Sequence, residues 1–559
     1  MLFKVLERFQ AIDLHPNKID NATMGTIFEE LIRKFNEALN ENPGEHFTPR
    51  DVVHLMVDLM LAGDQQALAG TNAIRTIYDP CCGSGGMLTI SKAHITEGIK
   101  SGADAVIQEP INPKADIHLF GQEVNPETFA ICKSDLFMKS RDGRDAKYIA
   151  YGSTLSADKH EQRAFDYMIT NPPYGKDWKM DEAAVKAEAE RGNAGRFGVG
   201  TPRISDGQLL FLQHLLAHMK KPSEGGSRIA IIMNGSPLFT GGAGSGESEI
   251  RRWVLENDWL EALVALPEQL FYNTGIATYV WVLSNRKAQE RKGKVLLIDA
   301  TSFWIKRKSL GDKRRDIPHD KVLEILDLLD RFEEGEFSKI YPSTQFGYRR
   351  ITVERPLQLN FQASAERIEQ LREERAFAKL AESKKRNPEV KAQEEELGRK
   401  QQEKILAMLA DLPDVLFKDR PSFEKALKAA GSEHGIKLDA SLKKVILNAL
   451  SERDETAEIC RDKKGEPEPD SNLRDTENVP LSESVEAFFE REVKPHVSDA
   501  WIDESKRDKT DGQVGIVGYE INFNRYFYTY EPPRPLEEIE AEIKKLEGEI
   551  VDMLGEVAG

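Results

Sequence analysis

The tetrapeptide Asn171-Pro172-Pro173-Tyr174 combines residue types that can hold a planar amine for chemistry. Two prolines remove backbone donors and stiffen the turn, which leaves the side-chain oxygen of Asn171 and the carbonyl of Pro172 as fixed acceptors. Two acceptors can bind both hydrogens of an exocyclic amine, and Tyr174 offers a flat face for stacking. A methyl group activated by a sulfonium needs no general base, so the work is orientation and electrostatics. The tetrapeptide therefore predicts methyl transfer to an sp² nitrogen.

A glycine turn lies upstream, in the segment Asp79–Gly86 (DPCCGSGG), after a predicted strand and before a predicted helix. Glycine lets the backbone approach a nucleotide-like ligand closely, although dinucleotide-binding enzymes use the same device. Asp79 favours one ligand over the other, because a carboxylate suits the ammonium and sulfonium groups of S-adenosylmethionine and would repel a pyrophosphate. Glu123, just past the next strand, is placed to accept both hydroxyls of a ribose.

The elements that must position these residues are eight short apolar runs between about 74 and 300. The predicted strands are Thr76–Asp79, Ile117–Gly121, Tyr148–Gly152, Phe165–Thr170, Ser227–Met233, Glu261–Leu266, Ala277–Leu283 and Lys294–Asp299. Helices are predicted at 86–98, 126–138 and 207–219. This alternation predicts an α/β fold with a mainly parallel sheet and helices on both faces, and the close spacing of the late strands predicts an antiparallel edge.

A helix start is predicted at Thr48-Pro49, immediately ahead of the first strand. Thr48 is the expected cap, Pro49 lies in the first turn, and Asp51 completes a pattern like a capping box. Farther along, residues 176–206 and 235–248 form long polar loops that are candidates for mobile segments near a substrate, or for ordinary surface loops.

Composition excludes several classes of protein. The four cysteines, Cys81, Cys82, Cys132 and Cys460, form no CxxC pair, so neither a disulfide framework nor a zinc site is indicated, and no metal is expected. There is no P-loop phosphate motif. No apolar run reaches the roughly 18 residues that span a bilayer, and the N-terminus MLFKVLERFQ is not a secretory signal. A cytoplasmic protein without a membrane partner is expected.

The net charge of −17 bears on possible partners. A protein that grips DNA widely by itself is usually basic, because binding is driven by neutralisation of phosphates. This chain carries only local basic runs, Lys306–Lys308 and Lys313–Arg315, and each run alone is most simply a solvated loop. If the chain acts on DNA, another subunit is expected to supply much of the grip.

The length of 559 residues predicts two or three domains. The expected divisions are a helical segment 1–45, a catalytic domain 46–310, a connecting region 311–363, a charged helical region 364–515 with a flexible linker near 460–480, and a C-terminal segment 516–559. From Leu536 to Met553, apolar residues alternate at three- and four-residue spacing. This spacing predicts a coiled-coil helix that packs on a partner, the alternative being a helix that packs on its own domain.

These motifs together resemble the modification (M) subunit of type I restriction–modification systems, a DNA adenine-N6 methyltransferase. The resemblance covers roughly residues 20–360 and returns near the C-terminus. Its segments are Glu45–Pro49 (EHFTP), Asp79–Gly86, Gly121–Pro126 (GQEVNP), Asn171–Tyr174, Leu266-Pro267 followed by Phe271 and Thr274–Ile276, Gly518–Arg525 (GYEINFNR) and Pro533–Leu536. In this family the helical domain ahead of the HFTP segment is longer than the 45 residues here.

The resemblance implies a methyltransferase fold built on a seven-stranded, mainly parallel sheet, with a helical N-terminal segment and a helical, coiled-coil C-terminal region. It implies S-adenosylmethionine as cofactor, bound by His46, Phe47, Thr48, Pro49, Asp79, Gly83, Ser84, Gly85, Gly86 and Glu123, and a flipped adenine held by Asn171, Pro172, Pro173 and Tyr174. The implied partners are DNA, a specificity (S) subunit, a second M subunit and a motor-nuclease (R) subunit. The C-terminal helix resembles the part that docks on the specificity subunit.

Two other functions stay open. Methyltransferases that act on RNA or on protein glutamine use similar NPPY turns, although the HFTP segment and the long helical tail count against them. A scaffold subunit that binds cofactor without catalysis is the third hypothesis, and the intact Asn171 and Tyr174 count against it.

Overall fold

The computed structural model describes residues 48–558 apart from 72, 102–104, 141, 273, 529 and 531–534, together with residues 10, 12 and 13. The chain forms two compact units. One comprises the residues up to Gly347 together with those from Gly518 onward, and the other is Tyr348–Val517. His46 and Phe47 lie outside the described residues, as does nearly all of the predicted helical segment 1–45. The domain boundaries at 45, 310, 363 and 515 stay predictions.

The first unit is built on a nine-stranded sheet. Its strands, labelled in chain order, are β1 (Ile74–Asp79), β2 (Asp116–Glu123), β3 (Tyr148–Tyr151), β4 (Tyr167–Thr170), β5 (Arg228–Asn234), β6 (Leu260–Ala265), β7 (Thr278–Ser284), β8 (Lys294–Asp299) and β9 (Ser338–Pro342). The spatial order is β9-β8-β6-β7-β5-β4-β1-β2-β3. All eight strands predicted from apolar runs are present, and only their ends differ by a residue or two.

Strand directions follow the expected fold. The strands from β3 through β2, β1 and β4 to β5 are parallel neighbours, and β7 lies antiparallel between β5 and β6. The prediction of an α/β fold with a mainly parallel sheet is confirmed, although the sheet has nine strands where seven were expected. The antiparallel β7 is inside the sheet and not at its edge, whereas β9 is an antiparallel edge strand on β8. Sequence reasoning missed β9 because its sequence, SKIYP, runs from a buried serine through a half-buried lysine to an exposed proline and shows no apolar run.

The first unit also contains α-helices. They are Arg50–Leu61, Gln65–Leu68, Gly86–Thr96, Pro126–Lys139, Glu182–Ala189, Gln208–Ala217, Ser236–Phe239, Gly246–Glu256, His319–Arg331, Phe523–Phe527 and Leu536–Ala558. The helix Pro126–Lys139 shows why such sequences become helical here: the Asn125 side chain accepts the amides of Glu127 and Thr128, and Pro126 fills the first position. The apolar sides of Arg50–Leu61, Gly86–Thr96 and His319–Arg331 join the sheet in one core.

The start of the helix Arg50–Leu61 differs from the prediction. Pro49 is its cap residue, and no side chain caps its amides. Thr48 is therefore not the helix cap. Its hydroxyl instead accepts a hydrogen bond from Asn171 at 2.9 Å. Asp51 does not complete a capping box either, because its carboxylate binds the ammonium of Lys313 at 2.9–3.0 Å. Both side chains serve contacts distant in sequence, which local spacing does not reveal.

Residues 176–206, a predicted loop, contain the helix Glu182–Ala189 with short 3₁₀ turns on either side of it, Lys179–Asp181 and Gly192–Ala194. Trp178, Val185 and Phe197 of this segment are buried. The segment is therefore packed onto the unit by its own apolar residues.

The second unit, Tyr348–Val517, combines a small sheet with a group of helices. Its strands are Gly347–Glu354, Leu359–Phe361, Ser451–Arg453, Asp475–Pro480, Trp501–Ile502 and Ile516–Tyr519, the first and last of which cross the unit boundary. Its helices are Ala365–Glu373, Arg375–Ala378, Pro388–Ala410, Arg420–Glu433, Ala440–Ala449 and Val485–Phe488. The predicted linker near 460–480 includes the strand Asp475–Pro480, which pairs antiparallel with residues 348–353. None of the helices within the described residues has the length and apolarity that crossing a membrane requires.

Candidate active site

Three neighbouring strands bring the predicted chemistry to one edge of the sheet. The strand β1 ends at Asp79, β2 ends at Glu123, and β4 ends at Thr170, directly before Asn171. Because β1 lies between β2 and β4 and all three are parallel, their carboxyl ends meet at the same edge. Ligands of open α/β sheets bind at this edge. The structure therefore brings together the glycine turn, both carboxylates and the NPPY segment.

Asp79 is a buried carboxylate without a cationic partner among the described residues. The residue is only 1% exposed. Its Oδ1 accepts hydrogen bonds from the Cys81 amide at 2.9 Å and from the Thr170 hydroxyl at 2.7 Å. Burial raises the pKa of Asp79 to about 7, and repulsion by Glu123 adds to this, against the lowering effect of the two hydrogen bonds. Neither acid forms a salt bridge with a residue in the described part of the chain. A bound cation would stabilise the ionised form of such an acid.

Glu123 holds the glycine turn against the end of β2. Its Oε2 accepts the amide of Gly83 at 2.9 Å, and its Oε1 accepts the amide of Asn125 at 2.7 Å. Each carboxylate oxygen has a second lone pair, so the side chain can still accept a hydroxyl. The proposed ribose contact stays a prediction, but the structure adds a second task for this residue.

The glycine turn needs its glycines for two separate reasons. Gly83 and Gly85 have φ angles of 54° and 83°, in the left-handed region that other residues avoid. A Cβ atom on Gly85 would also lie 2.8 Å from the sulfur of Cys132, so at this position close packing of two helices, and not approach of a ligand, excludes a side chain. A Cβ atom on Gly86 would meet no heavy atom within 4 Å, and this open space lies beside the start of the helix Gly86–Thr96. Ser84, between Gly83 and Gly85, is half-buried.

The side chain of Asn171 is held in one orientation by Thr48. The Nδ2 amide donates to the Thr48 hydroxyl at 2.9 Å, whereas Oδ1 is buried and has no hydrogen-bond partner among the described residues. A buried carbonyl oxygen without a partner typically costs about 1–3 kcal/mol. The arrangement leaves a fixed acceptor at the end of β4, which is the type of atom that an amine donor of a ligand would satisfy.

Tyr174 completes the predicted segment, after the buried Pro172 and the half-buried Pro173. Its ring packs edge-on against Phe271, with the centroids 6.0 Å apart and the planes at 90°. The hydroxyl is buried, lacks a partner among the residues that the structure describes, and has a pKa raised by that burial. The contact explains why Phe271, from the late LPEQLF segment, belongs to the site.

Sequence reasoning missed three residues that connect these parts. Thr170 joins β4 to Asp79 through its hydroxyl, and Thr154 donates to the Pro80 carbonyl at 2.5 Å. Arg196 donates to the Thr154 carbonyl at 2.8 Å and to both carboxylate oxygens of Glu188, and so ties the segment after NPPY to the loop behind the glycine turn. Thr170 could have been found as the last residue of a predicted strand, but no sequence signal points to Arg196.

A cluster of Asp158, His214 and His218 behind β1 has a spacing that could suit a metal, with one atom of each within 4.8 Å of the others. The ring nitrogens are already engaged. Nδ1 of His214 faces the guanidinium of Arg196 at 2.8 Å, and its Nε2 lies 2.8 Å from the hydroxyl of Tyr78. Nε2 of His218 lies 2.8 Å from Asp158, and its Nδ1 lies 2.6 Å from a backbone carbonyl. The cluster is therefore a hydrogen-bonded network that supports the site from behind.

Comparison with known proteins places this geometry in context. A family model described as N-6 DNA methylase matches residues 19–345. The type I restriction enzyme MjaIX methylase subunit of Methanocaldococcus jannaschii is 26% identical over 332 residues, which cover 59% of this chain and 53% of the relative. The HindI methylase subunit of Haemophilus influenzae is 28% identical over 315 residues, covering 56% and 61% respectively.

A solved structure is also similar, the methyltransferase subunit of a type I restriction–modification system from Streptococcus thermophilus. It is 23% identical, covers 61% of this chain and 64% of its own, and superposes with a TM-score of 0.47. The matched region spans less than two thirds of the length of each of these relatives.

Proposed function

The chain belongs to the N-6 DNA methylase family, and from this membership we propose that it transfers a methyl group from S-adenosylmethionine to N6 of an adenine flipped out of duplex DNA. In this proposal it is the modification subunit of a type I restriction–modification complex in the cytoplasm. The observation that carries the proposal is the buried Oδ1 of Asn171, which has no hydrogen-bond partner among the described residues and lies one residue after the threonine that binds Asp79. An acceptor for an amine and a carboxylate for a cation thus lie at the ends of two neighbouring strands, joined through Thr170.

The residues present fit S-adenosylmethionine. Asp79 is the buried acid for its ammonium, Glu123 is the acceptor for its ribose hydroxyls, and the turn Gly83–Gly86 leaves open space beside a helix start. Thr48 and Pro49 would border it, together with His46 and Phe47 outside the described residues. When bound, S-adenosylmethionine supplies a methyl group already activated by its sulfonium.

The base-binding residues orient the target nitrogen. Oδ1 of Asn171 and the carbonyl of Pro172 accept the two hydrogens on N6, so that the nitrogen lone pair is directed at the methyl group. Thr48 holds the Asn171 amide in place, because its hydroxyl already accepts a hydrogen bond from Nδ2. Tyr174 stacks on the adenine, and Pro173 stiffens the turn between them. The reaction then depends on position and on preorganised dipoles.

The proposed assembly accounts for the surface of the chain. With a net charge of −17, the chain gains from a specificity subunit that supplies the main grip on DNA. The C-terminal helix Leu536–Ala558 exposes an apolar stripe, with Leu536 70%, Ile543, Leu546 and Ile550 each 51%, and Met553 58% exposed. Such a stripe supports docking of this helix on the specificity subunit. A second modification subunit and a motor-nuclease subunit would complete the complex.

The proposal is tested by methylation of duplex DNA with and without the specificity partner, scored as N6-methyladenine. We expect product only with the partner, and none from Asn171→Ala in the same complex. Asn257→Ala, which alters an exposed asparagine at a helix end, is the matched control and should keep wild-type turnover. Full turnover by Asn171→Ala, or modification of RNA or protein glutamine by the chain alone, would refute the proposal. Cofactor binding without any turnover would instead support a scaffold subunit.

A further inference from the structure

The strands Ile305–Leu310 and Lys313–Asp316 form a two-stranded antiparallel ribbon, which we name the basic hairpin (residues 305–316). Its sequence IKRKSLGDKRRD contains six lysines or arginines and two aspartates, which gives a net charge of +4 within a chain of −17. Lys306, Lys308 and Arg314 are exposed on it. This concentration of positive charge is opposite in sign to the chain as a whole.

The charge on the basic hairpin is only partly neutralised. Arg307 pairs with Asp316 at 2.9 Å and Lys313 with Asp51, but Lys306, Lys308 and Arg314 form no ion pair within the described ranges. The strand register places Lys306 directly opposite Arg315. Like charges in that position destabilise a ribbon. An anion that binds across these side chains would remove this repulsion.

One anchor of the basic hairpin leads to the residue that holds Asn171. The ammonium of Lys313 is buried and lies 2.9–3.0 Å from both carboxylate oxygens of Asp51. The same carboxylate accepts the amide of Ile317 at 3.0 Å. Asp51 is in the first turn of the helix Arg50–Leu61, three residues after Thr48, whose hydroxyl binds Asn171.

The other anchor leads to the residue that packs on Tyr174. The amide of Asp312 donates to the carbonyl of Tyr272 at 3.0 Å, and the amide of Arg314 donates to the carbonyl of Gln269 at 2.9 Å. Gly311, with a φ of 60°, sits so close that a Cβ atom would lie 2.4 Å from the Tyr272 carbonyl. Phe271, which contacts the ring of Tyr174, lies between these two acceptors. Both anchors therefore fix the basic hairpin beside the candidate base pocket.

We propose that the basic hairpin binds the phosphate backbone of duplex DNA next to the flipped base. This inference rests on the proposed function of the NPPY site. A base can be extruded only where the duplex is held against the pocket, and phosphate contacts set that position without reading sequence. Lys306, Lys308 and Arg314 supply the exposed cations, and the anchors through Asp51 and Tyr272 keep them at a fixed distance from Asn171 and Tyr174.

The test replaces the exposed cations with neutral residues of similar length, in the triple variant Lys306→Gln, Lys308→Gln, Arg314→Gln. The matched control is Lys384→Gln, Lys385→Gln, Arg386→Gln, an exposed run of the same composition in the second unit. Each complex, with its specificity partner, is titrated with duplex DNA over a range of salt concentrations. We expect the slope of log K against log[salt] to become shallower by about 0.9 for each phosphate that the hairpin variant no longer neutralises, and to stay at the wild-type value in the control.

Methylation kinetics separate this inference from the proposed function. The hairpin variant should show a higher KM for DNA at moderate salt and an unchanged kcat at saturating DNA, because Asn171 and Tyr174 are untouched. Lys308→Gln alone should make the salt slope shallower by about 0.9, the value for a single phosphate, and it guards against misfolding of the triple variant.

Equal slopes in the hairpin variant and the control would overturn the inference, while N6-methyladenine formed by the wild type would leave the proposed function standing. The hairpin variant could instead bind less of the specificity partner, while the fraction of complex that still forms keeps the wild-type salt slope. That result would assign the basic hairpin to a protein interface and overturn the inference as well. Salt-sensitive duplex binding that needs the hairpin, without any N6-methyladenine from the wild type, would sustain the phosphate contact and refute the proposed function.

Discussion

Replacing Asp79 with asparagine should stabilise the fold at neutral and higher pH while abolishing cofactor binding. The Oδ1 of Asp79 accepts hydrogen bonds from the Cys81 amide and the Thr170 hydroxyl, and an asparagine Oδ1 can accept both. Asparagine therefore reproduces the protonated acid without its ability to ionise. What it removes is a buried negative charge that the described residues do not pair with a cation, and that charge is the proposed partner of the cofactor ammonium.

The magnitude follows from the pKa. Burial raises the pKa of Asp79 from 3.8 to about 7. Between these pH values the folded protein holds one proton more than the unfolded chain, so the free energy of unfolding falls as pH rises. The contribution of Asp79 to that free energy is smallest above a pH of about 7. The full difference corresponds to roughly 4 kcal/mol, which is an upper bound because the buried site can relax around the charge. The advantage of Asp79→Asn should be absent below about pH 4, grow between about pH 4 and 7, and level off above that range.

The assay compares thermal unfolding midpoints of wild type and Asp79→Asn across this pH range, with isothermal titration of S-adenosylmethionine beside it. Asp64→Asn is the matched control. Although burial opposes the effect, hydrogen bonds from Arg286 and Tyr167 lower the pKa of Asp64, so its contribution to stability is present above about pH 4 and is lost only in acid. Asp64→Asn should therefore destabilise by a constant amount between about pH 5 and 8. A destabilised Asp79→Asn with the same flat pH profile would refute the reasoning, as would wild-type cofactor affinity.

Three further outcomes are expected. Thr48→Val should lower turnover on duplex DNA by up to about tenfold, since a hydrogen bond to Asn171 is worth about 0.5–1.5 kcal/mol, and Thr48→Ser should restore it; equal rates for both would exclude the orienting role. Tyr174→Phe should keep kcat/KM, because its hydroxyl has no partner among the described residues, whereas Tyr174→Ala should lose about 1–3 kcal/mol of base stacking; identical losses would contradict stacking. Leu546→Glu should abolish co-purification with the specificity partner without moving the thermal midpoint of the lone chain, while Lys545→Glu on the same helix should not; retained co-purification of Leu546→Glu would argue against docking through the exposed stripe.

Eight of the nine strands were predictable because they are short apolar runs, which are typical of strands buried on both faces of a sheet. Lys294–Asp299 was predicted to the residue, since its apolar centre is bounded by a charge at each end. The position of β7 was not predictable. It is buried like its neighbours, and nothing in an apolar run tells whether the strand pairs at the edge or inserts between two others. Strand order depends on pairing over long sequence distances, which composition does not encode.

The site was predictable where its chemistry lies in consecutive residues and not where it depends on contacts across the fold. The Asn171–Tyr174 segment and the glycine turn can be recognised from their residue types and spacing. The bond between Asn171 and Thr48 joins residues 123 positions apart, and the threonine's place before a proline suggested a helix cap instead. Arg196 is similarly hidden, because in sequence it is one charge in a polar segment, while in the fold it meets Glu188, His214 and the Thr154 carbonyl.

One strand end couples the two halves of the proposed reaction. Thr170 fixes the carboxylate of Asp79 through its side chain, and the next residue, Asn171, presents the acceptor for the base. Consecutive residues at the end of a strand cannot move independently by more than a fraction of their spacing, since the β4 backbone is hydrogen-bonded on both sides, to β1 and β5. A shift of the Asp79 carboxylate, the proposed partner of the cofactor ammonium, would therefore carry the Asn171 acceptor with it. Methyl transfer needs donor and acceptor aligned closely, and placing their binding residues at the ends of two paired strands, β1 and β4, meets that need without help from a mobile loop.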